Sequence, residues 1–153
     1  MKKYFRLFKN WRRLGFKGQA LWLFVFVFCG VARLMILLLP FRWLAKFLGE
    51  HKGNKEINSC TCTRQKEKSL LIAKIVRQVV PYTPWESKCL VQALVASQLL
   101  KFFKVPYVVY FGLRKDSGDK LRAHAWVVSG SSYITGKSEG ALFTIVSVFA
   151  SLR

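Results

Sequence analysis

The sequence predicts an α+β domain in which helices come first and an antiparallel sheet follows, with an apolar helical segment ahead of both. Three observations predict it. Apolar residues recur at helical spacing over 70–80 and 89–104. From Val105 onward, β-branched and aromatic residues gather in short runs separated by glycine and polar turns. Residues 20–40 are nearly all apolar.

In chain order, residues 1–19 carry Lys2, Lys3, Arg6, Lys9, Arg12, Arg13 and Lys17 with no acid, interleaved with Tyr4, Phe5, Leu7, Phe8, Trp11, Leu14 and Phe16. A basic helix with an aromatic face suits an anionic bilayer surface; the alternative is a helix whose aromatics pack on the domain. The apolar run from Ala20 to Leu39 is near the roughly 20 residues that cross a bilayer. Arg33 inside it would cost about 2.5–3.5 kcal/mol at a bilayer centre, and Gly30 and Pro40 suggest two shorter helices. We therefore expect a helical appendage that packs on the domain or lies in the membrane interface. The alternative is a span, with the basic end held in the cytoplasm and the rest outside. The apolar run is not followed by a small-x-small cleavage motif of a signal peptide. The expected location is the cytoplasm, with association to the inner face of the cell membrane.

Phe41–Phe47 is short and amphipathic. Gly49–Lys68 is polar and reads as a linker, so the expected division is 1–48 N-terminal segment, 49–68 linker and 69–153 domain. Ser69 can cap a helix over Leu70–Val80, which Pro81 ends. Pro81-Tyr82-Thr83-Pro84-Trp85 is a stiff turn leading to a central helix, Cys89–Lys104. Cys89, Ala93, Ala96 and Leu100 share one face of that helix, and the small residues let a sheet approach closely. Strands are expected over Val105–Arg114, Leu121–Val128 and Ser131–Thr135, with polar loops at 115–120 and 136–140. Leu142–Leu152 is a last strand or a short helix.

The net charge is +19 with only seven acids, which points to an anionic partner. The cations cluster with apolar anchors rather than in a recognition motif, so no specific nucleic acid is expected. At 52% apolar residues the chain is too apolar for disorder. The four cysteines, Cys29, Cys60, Cys62 and Cys89, do not form a disulfide framework and suit a reducing compartment. Cys60-x-Cys62 lacks the spacing and the second pair of a zinc site, so neither metal nor cofactor is expected.

The chemistry concentrates in Trp85-Glu86-Ser87-Lys88-Cys89-Leu90 and Ala123-His124-Ala125-Trp126-Val127. A thiol that opens a helix and an imidazole fixed on a strand are the parts of a cysteine nucleophile and its base. The helix dipole and a facing imidazolium both favour thiolate, and backbone N–H groups at the helix start suit an oxyanion. Trp85 and Leu90 beside the thiol, and Trp126 and Thr135 beside the imidazole, are the candidates for oxyanion and substrate positioning. His51 is assigned to solvent. If Ser129-Gly130 is the hairpin turn, His124 faces Thr135, and an orienting acid belongs near 135–137. The residues there are Thr135, Gly136 and Lys137. The third member is therefore Glu139, an oxygen near Thr135, or absent.

Residues 69–136 resemble the peptidase domain of the lasso-peptide maturation B proteins, of the transglutaminase-like cysteine protease superfamily. The matching pieces are Pro84-Trp85-x-Ser87-x-Cys89-Leu90-Val91-Gln92-Ala93-Leu94, Tyr110-Phe111-Gly112-Leu113-Arg114-Lys115, Ala123-His124-Ala125-Trp126-Val127 and Ile134-Thr135-Gly136. Leu38-Leu39-Pro40-Phe41-Arg42 is also similar. The resemblance implies a transglutaminase/papain-like core and a thiol protease. It would cut the leader from a lasso precursor peptide, with Cys89 as nucleophile and His124 as base. It also implies a lasso cyclase as partner and, since the apolar segment stands where many members carry a recognition domain, a separate leader-recognition protein. The family aspartate falls near Gly136, where this chain has none.

Overall fold

The structure is a computed structural model that describes residues 15–115, 120–136 and 142–152. Helix α1 (Phe16–Leu38) is continuous, where two shorter helices were expected. Gly30 does not break it but lies against the indole of Trp85, where a Cβ would sit 2.8 Å from the ring. Pro40 then separates α1 from α2 (Phe41–Leu48). Val25, Cys29 and Ala32, at i, i+4 and i+7, are buried where α1 packs on the helices at Thr63–Val79 and Cys89–Phe102, and α2 buries Leu44 and Leu48.

Helix α3 (Thr63–Val79) starts six residues before the expected Ser69 cap. The Cys62 N–H donates to Gln65 Oε1 at 3.1 Å, which caps the helix at its true start. Ser69 is buried in mid-helix, its hydroxyl donating to the Lys66 carbonyl. A 3-10 turn (Val80–Tyr82) follows, and then α4 (Cys89–Phe102). Helix α4 stops two residues short of Lys104, which takes a left-handed φ of 54° and lets the Val105 N–H reach the Leu100 carbonyl at 2.9 Å. Ala93, Ala96 and Leu100 are fully buried, and Val91, Val95 and Leu99 make α4 a core helix on its other sides as well.

The sheet has five antiparallel strands in the order β1-β5-β2-β3-β4. These are β1 (Glu50–His51), β2 (Tyr107–Lys115), β3 (Leu121–Ser129), β4 (Ser132–Thr135) and β5 (Thr144–Ser151). The C-terminal run is thus a strand, seated between β1 and β2. Its eight residues alternate partly, and its β-branched content suits that place. Alternation splits the sheet into two faces. Tyr107, Val109, Ala125, Val127 and Phe149 share one core with the helices. Val108, Tyr110, Trp126, Phe143 and Val148 form a second core on the other face.

The stretch expected as a linker takes part in this packing. Glu50 and His51 pair with β5, so His51 is a strand residue, its ring 5.2 Å from that of Phe149 and its Nε2 3.1 Å from Ser147 Oγ. Ile57 packs on the second core and its carbonyl accepts from the Tyr110 hydroxyl at 2.6 Å. The Ser59 hydroxyl accepts from the Gly130 N–H at 2.8 Å. These contacts explain why the polar segment is not free: its start adds an edge strand beside β5, and Ile57 packs on the second face of the sheet.

Candidate active site

The site begins with the turn that delivers Cys89. The Thr83 hydroxyl lies 2.9 Å from both the Val80 carbonyl and the Ser87 hydroxyl. Gln92 Nε2 donates back to the Ser87 carbonyl at 2.8 Å. Lys88 is extended, and the helical backbone starts at Cys89, so the thiol stands in the first turn of α4 as expected. Cys89 is half-buried and packs against the helix-side core, and Leu90 behaves likewise.

Helix α1 braces this turn from the other side, a feature sequence reasoning missed. The Phe26 and Trp85 rings lie 5.2 Å apart, and Trp85 rests on Gly30. Cys29 hydrogen-bonds Ser87. Arg33 Nη2 donates to Glu86 Oε2 at 3.0 Å, and Lys88 Nζ reaches Glu86 Oε1 at 3.1 Å. The hydrogen bond and charge of Lys88, with the Arg33 guanidinium, hold the Glu86 carboxyl below its ordinary range. Burial pushes the Cys29 thiol up to about 11, against the hydrogen bond from Ser87, so Cys29 stays protonated and unreactive at neutral pH. The signal for the brace was available in Arg33 and Glu86, the one cation inside the apolar run and a rare acid.

His124 is fixed on β3 opposite Gly112. Its Nε2–H donates to the Gly136 carbonyl at 3.3 Å. Its ring stacks 5.9 Å from that of Trp126 and lies 5.2 Å from Phe143. Gly112 makes room for this group, since a Cβ there would meet Phe143 at 2.7 Å and Trp126 at 2.9 Å. A glycine inside a β-branched strand was the sequence signal of that close approach.

The β3–β4 hairpin corrects the expected register. Its turn is Gly130-Ser131, with Gly130 at φ 56°, and Ser129 pairs with Ser132. A bulge then sets Thr135 opposite Val127, not opposite His124. The residue that meets the imidazole is Gly136, where a Cβ would lie 2.9 Å from His124 Nε2. The resemblance implies an aspartate near this position; here the Gly136 backbone carbonyl takes the hydrogen bond. Thr135 is buried, and its hydroxyl has no hydrogen-bond partner among the described residues. Glu139 lies outside the described residues.

The structure does not join the thiol to the imidazole. They share no hydrogen bond: Cys89 packs with the helix-side core, while His124 stands with Trp126 and Phe143 on the other face. Trp126 is buried and supports the imidazole, stacking on Tyr110 at 5.5 Å.

Gly136 also gives a stability prediction. Its φ is 71°, and a Cβ would approach Trp126 Cβ to 2.6 Å. Gly136→Ala is expected to cost about 1–3 kcal/mol from left-handed strain and overpacking. A lowered midpoint in urea unfolding checks it; an unchanged midpoint would show that the chain here is not held left-handed.

Residues 35–148 match a protein family described as the transglutaminase-like superfamily. The match begins inside α1 and runs to β5, so it takes in the segment between α2 and α3 as well as the two candidate residues. No curated protein and no solved structure matches this chain.

Proposed function

Because the chain belongs to the transglutaminase-like superfamily, which includes cysteine peptidases and transglutaminases, we propose that it is a cysteine peptidase of lasso-peptide maturation. It removes the leader from a ribosomally made precursor, with Cys89 as nucleophile and His124 as base. A separate recognition protein presents the leader, and a cyclase closes the ring. The observation that carries this reading is the placement of Cys89, a half-buried thiol in the first turn of α4 held by a braced turn. The Cys89 sulfur adds to the scissile carbonyl, and first-turn N–H groups receive the oxyanion. His124 takes the thiol proton and gives it to the leaving amine, and water then hydrolyses the thioester. In the chain alone the pair is not assembled, so this reading places its assembly in the complex with precursor and recognition protein.

One observation favours a second reading, a catalytically lapsed scaffold at the membrane surface. Gly136 stands near where an acid would orient His124, and its backbone carbonyl takes the hydrogen bond of the half-buried imidazole instead. Reconstitution separates the two. Precursor, recognition protein and this chain should yield leader and core fragments by mass spectrometry. A precursor that binds the full assembly yet stays whole supports the scaffold.

A further inference from the structure

Helix α1 has two unlike sides. Its inner side packs on α3 and α4 and braces the turn before Cys89. Its outer side presents Leu23, Phe24, Val27, Val31, Leu34 and Leu38, which are 44 to 72% exposed. These positions follow helical spacing, so they form one continuous stripe. Helix α2 adds an exposed Trp43, flanked in sequence by Arg42 and with Lys46 Nζ 4.9 Å over its ring. Residues 1–19 carry seven cations and no acid.

We propose that this outer face is a lipid-binding surface, with α1 lying in the plane of an anionic bilayer rather than crossing it. By length and composition, Gly18–Leu38 could cross a membrane. Its packing argues otherwise. A spanning α1 would carry into the hydrocarbon the helices on its inner side and the Arg33–Glu86–Lys88 charges beside its second half. An in-plane α1 buries its apolar stripe in the acyl boundary and leaves those charges on the protein side. Charge complementarity selects the lipid: the cations of residues 1–19, Arg42 and Lys46 suit anionic headgroups, and a tryptophan between cations suits the interface. A second copy of this chain would instead bring like charges together.

This inference does not depend on the peptidase reading, and its test does not use cleavage. The full chain is floated with vesicles of phosphatidylglycerol and phosphatidylcholine, and with vesicles of phosphatidylcholine alone. At least tenfold stronger partition to the anionic vesicles is expected, reduced by 0.5 M salt on the order of tenfold, because the charges are screened. The double variant Val27→Asp, Leu34→Asp should lose at least tenfold in partition with its unfolding midpoint unchanged, since both side chains are exposed. Variants that fail to fold are replaced by Trp43→Ala and Arg42→Glu, which should also weaken partition. Equal, salt-resistant binding to both vesicles with the two chain ends on opposite sides would overturn the proposal in favour of a span. Absence of vesicle binding, with or without a dimer in solution, would overturn it too.

Discussion

On the proposed peptidase reading, Cys89→Ser is expected to abolish leader removal while leaving precursor binding intact. The expected loss is at least about 10³-fold, because losing the nucleophile leaves only binding and oxyanion contributions. A hydroxyl at the same place keeps the size and the helix start but is a far weaker nucleophile at neutral pH. The fold should not change, because Cys89 is half-buried at the start of α4, not at its centre. Cys60→Ser serves as control: Cys60 is exposed and stands before α3, so the rate should stay at the wild-type value. Cleavage is followed by mass spectrometry and binding by co-elution. A serine variant that still cuts would remove Cys89 from the chemistry.

Gly30→Leu reaches the same thiol from a distance. A Cβ at Gly30 would stand 2.8 to 3.2 Å from three atoms of the Trp85 indole, so a leucine must push that ring away. Trp85 has little room to yield: Phe26 lies against it, and Glu86 and Ser87 are tied to Arg33 and Cys29. Overpacking of this kind costs about 1–3 kcal/mol. The larger effect is on rate, because a misplacement of about 1 Å at a catalytic group can cost about 10²-fold. Val31→Leu adds a methylene on the exposed side of the same helix and should change neither stability nor rate. Equal behaviour of the two variants would show that α1 does not position the Cys89 turn.

Much of the fold could be read from the residues. The central helix, three of the five strands and the hairpin order follow from local periodicity and turn chemistry, and the structure contains them. Cys89 at a helix start was legible because Pro81 and Pro84 stop one helix shortly before another begins. What escaped depends on an unusual cap, a cysteine where Ser, Thr, Asp or Asn is expected, and on contacts remote in sequence. The early start of α3 hangs on Gln65 reaching back to Cys62. The pairing of Glu50 with Ala150 has no local signal. Moving the turn to Gly130-Ser131 and adding the bulge at Val127/Val128 shifted the pairing of Thr135 by three residues, from His124 to Val127, and left Gly136 against the imidazole. The brace between Arg33 and Glu86 joins residues 53 apart.

On the proposed reading, Cys89 is the nucleophile that attacks at the end of the leader. The direct measurement uses a leader peptide ending in a vinyl sulfone, built once the reconstituted reaction has given the cleavage point. A nucleophilic thiolate adds across the double bond and leaves a stable thioether, so the attacking residue is marked. One adduct per chain is expected, on the tryptic peptide carrying Cys89, formed in the presence of the recognition protein and slowed by His124→Ala. An adduct on Cys60 or Cys62, or none while the peptide is bound, would contradict it.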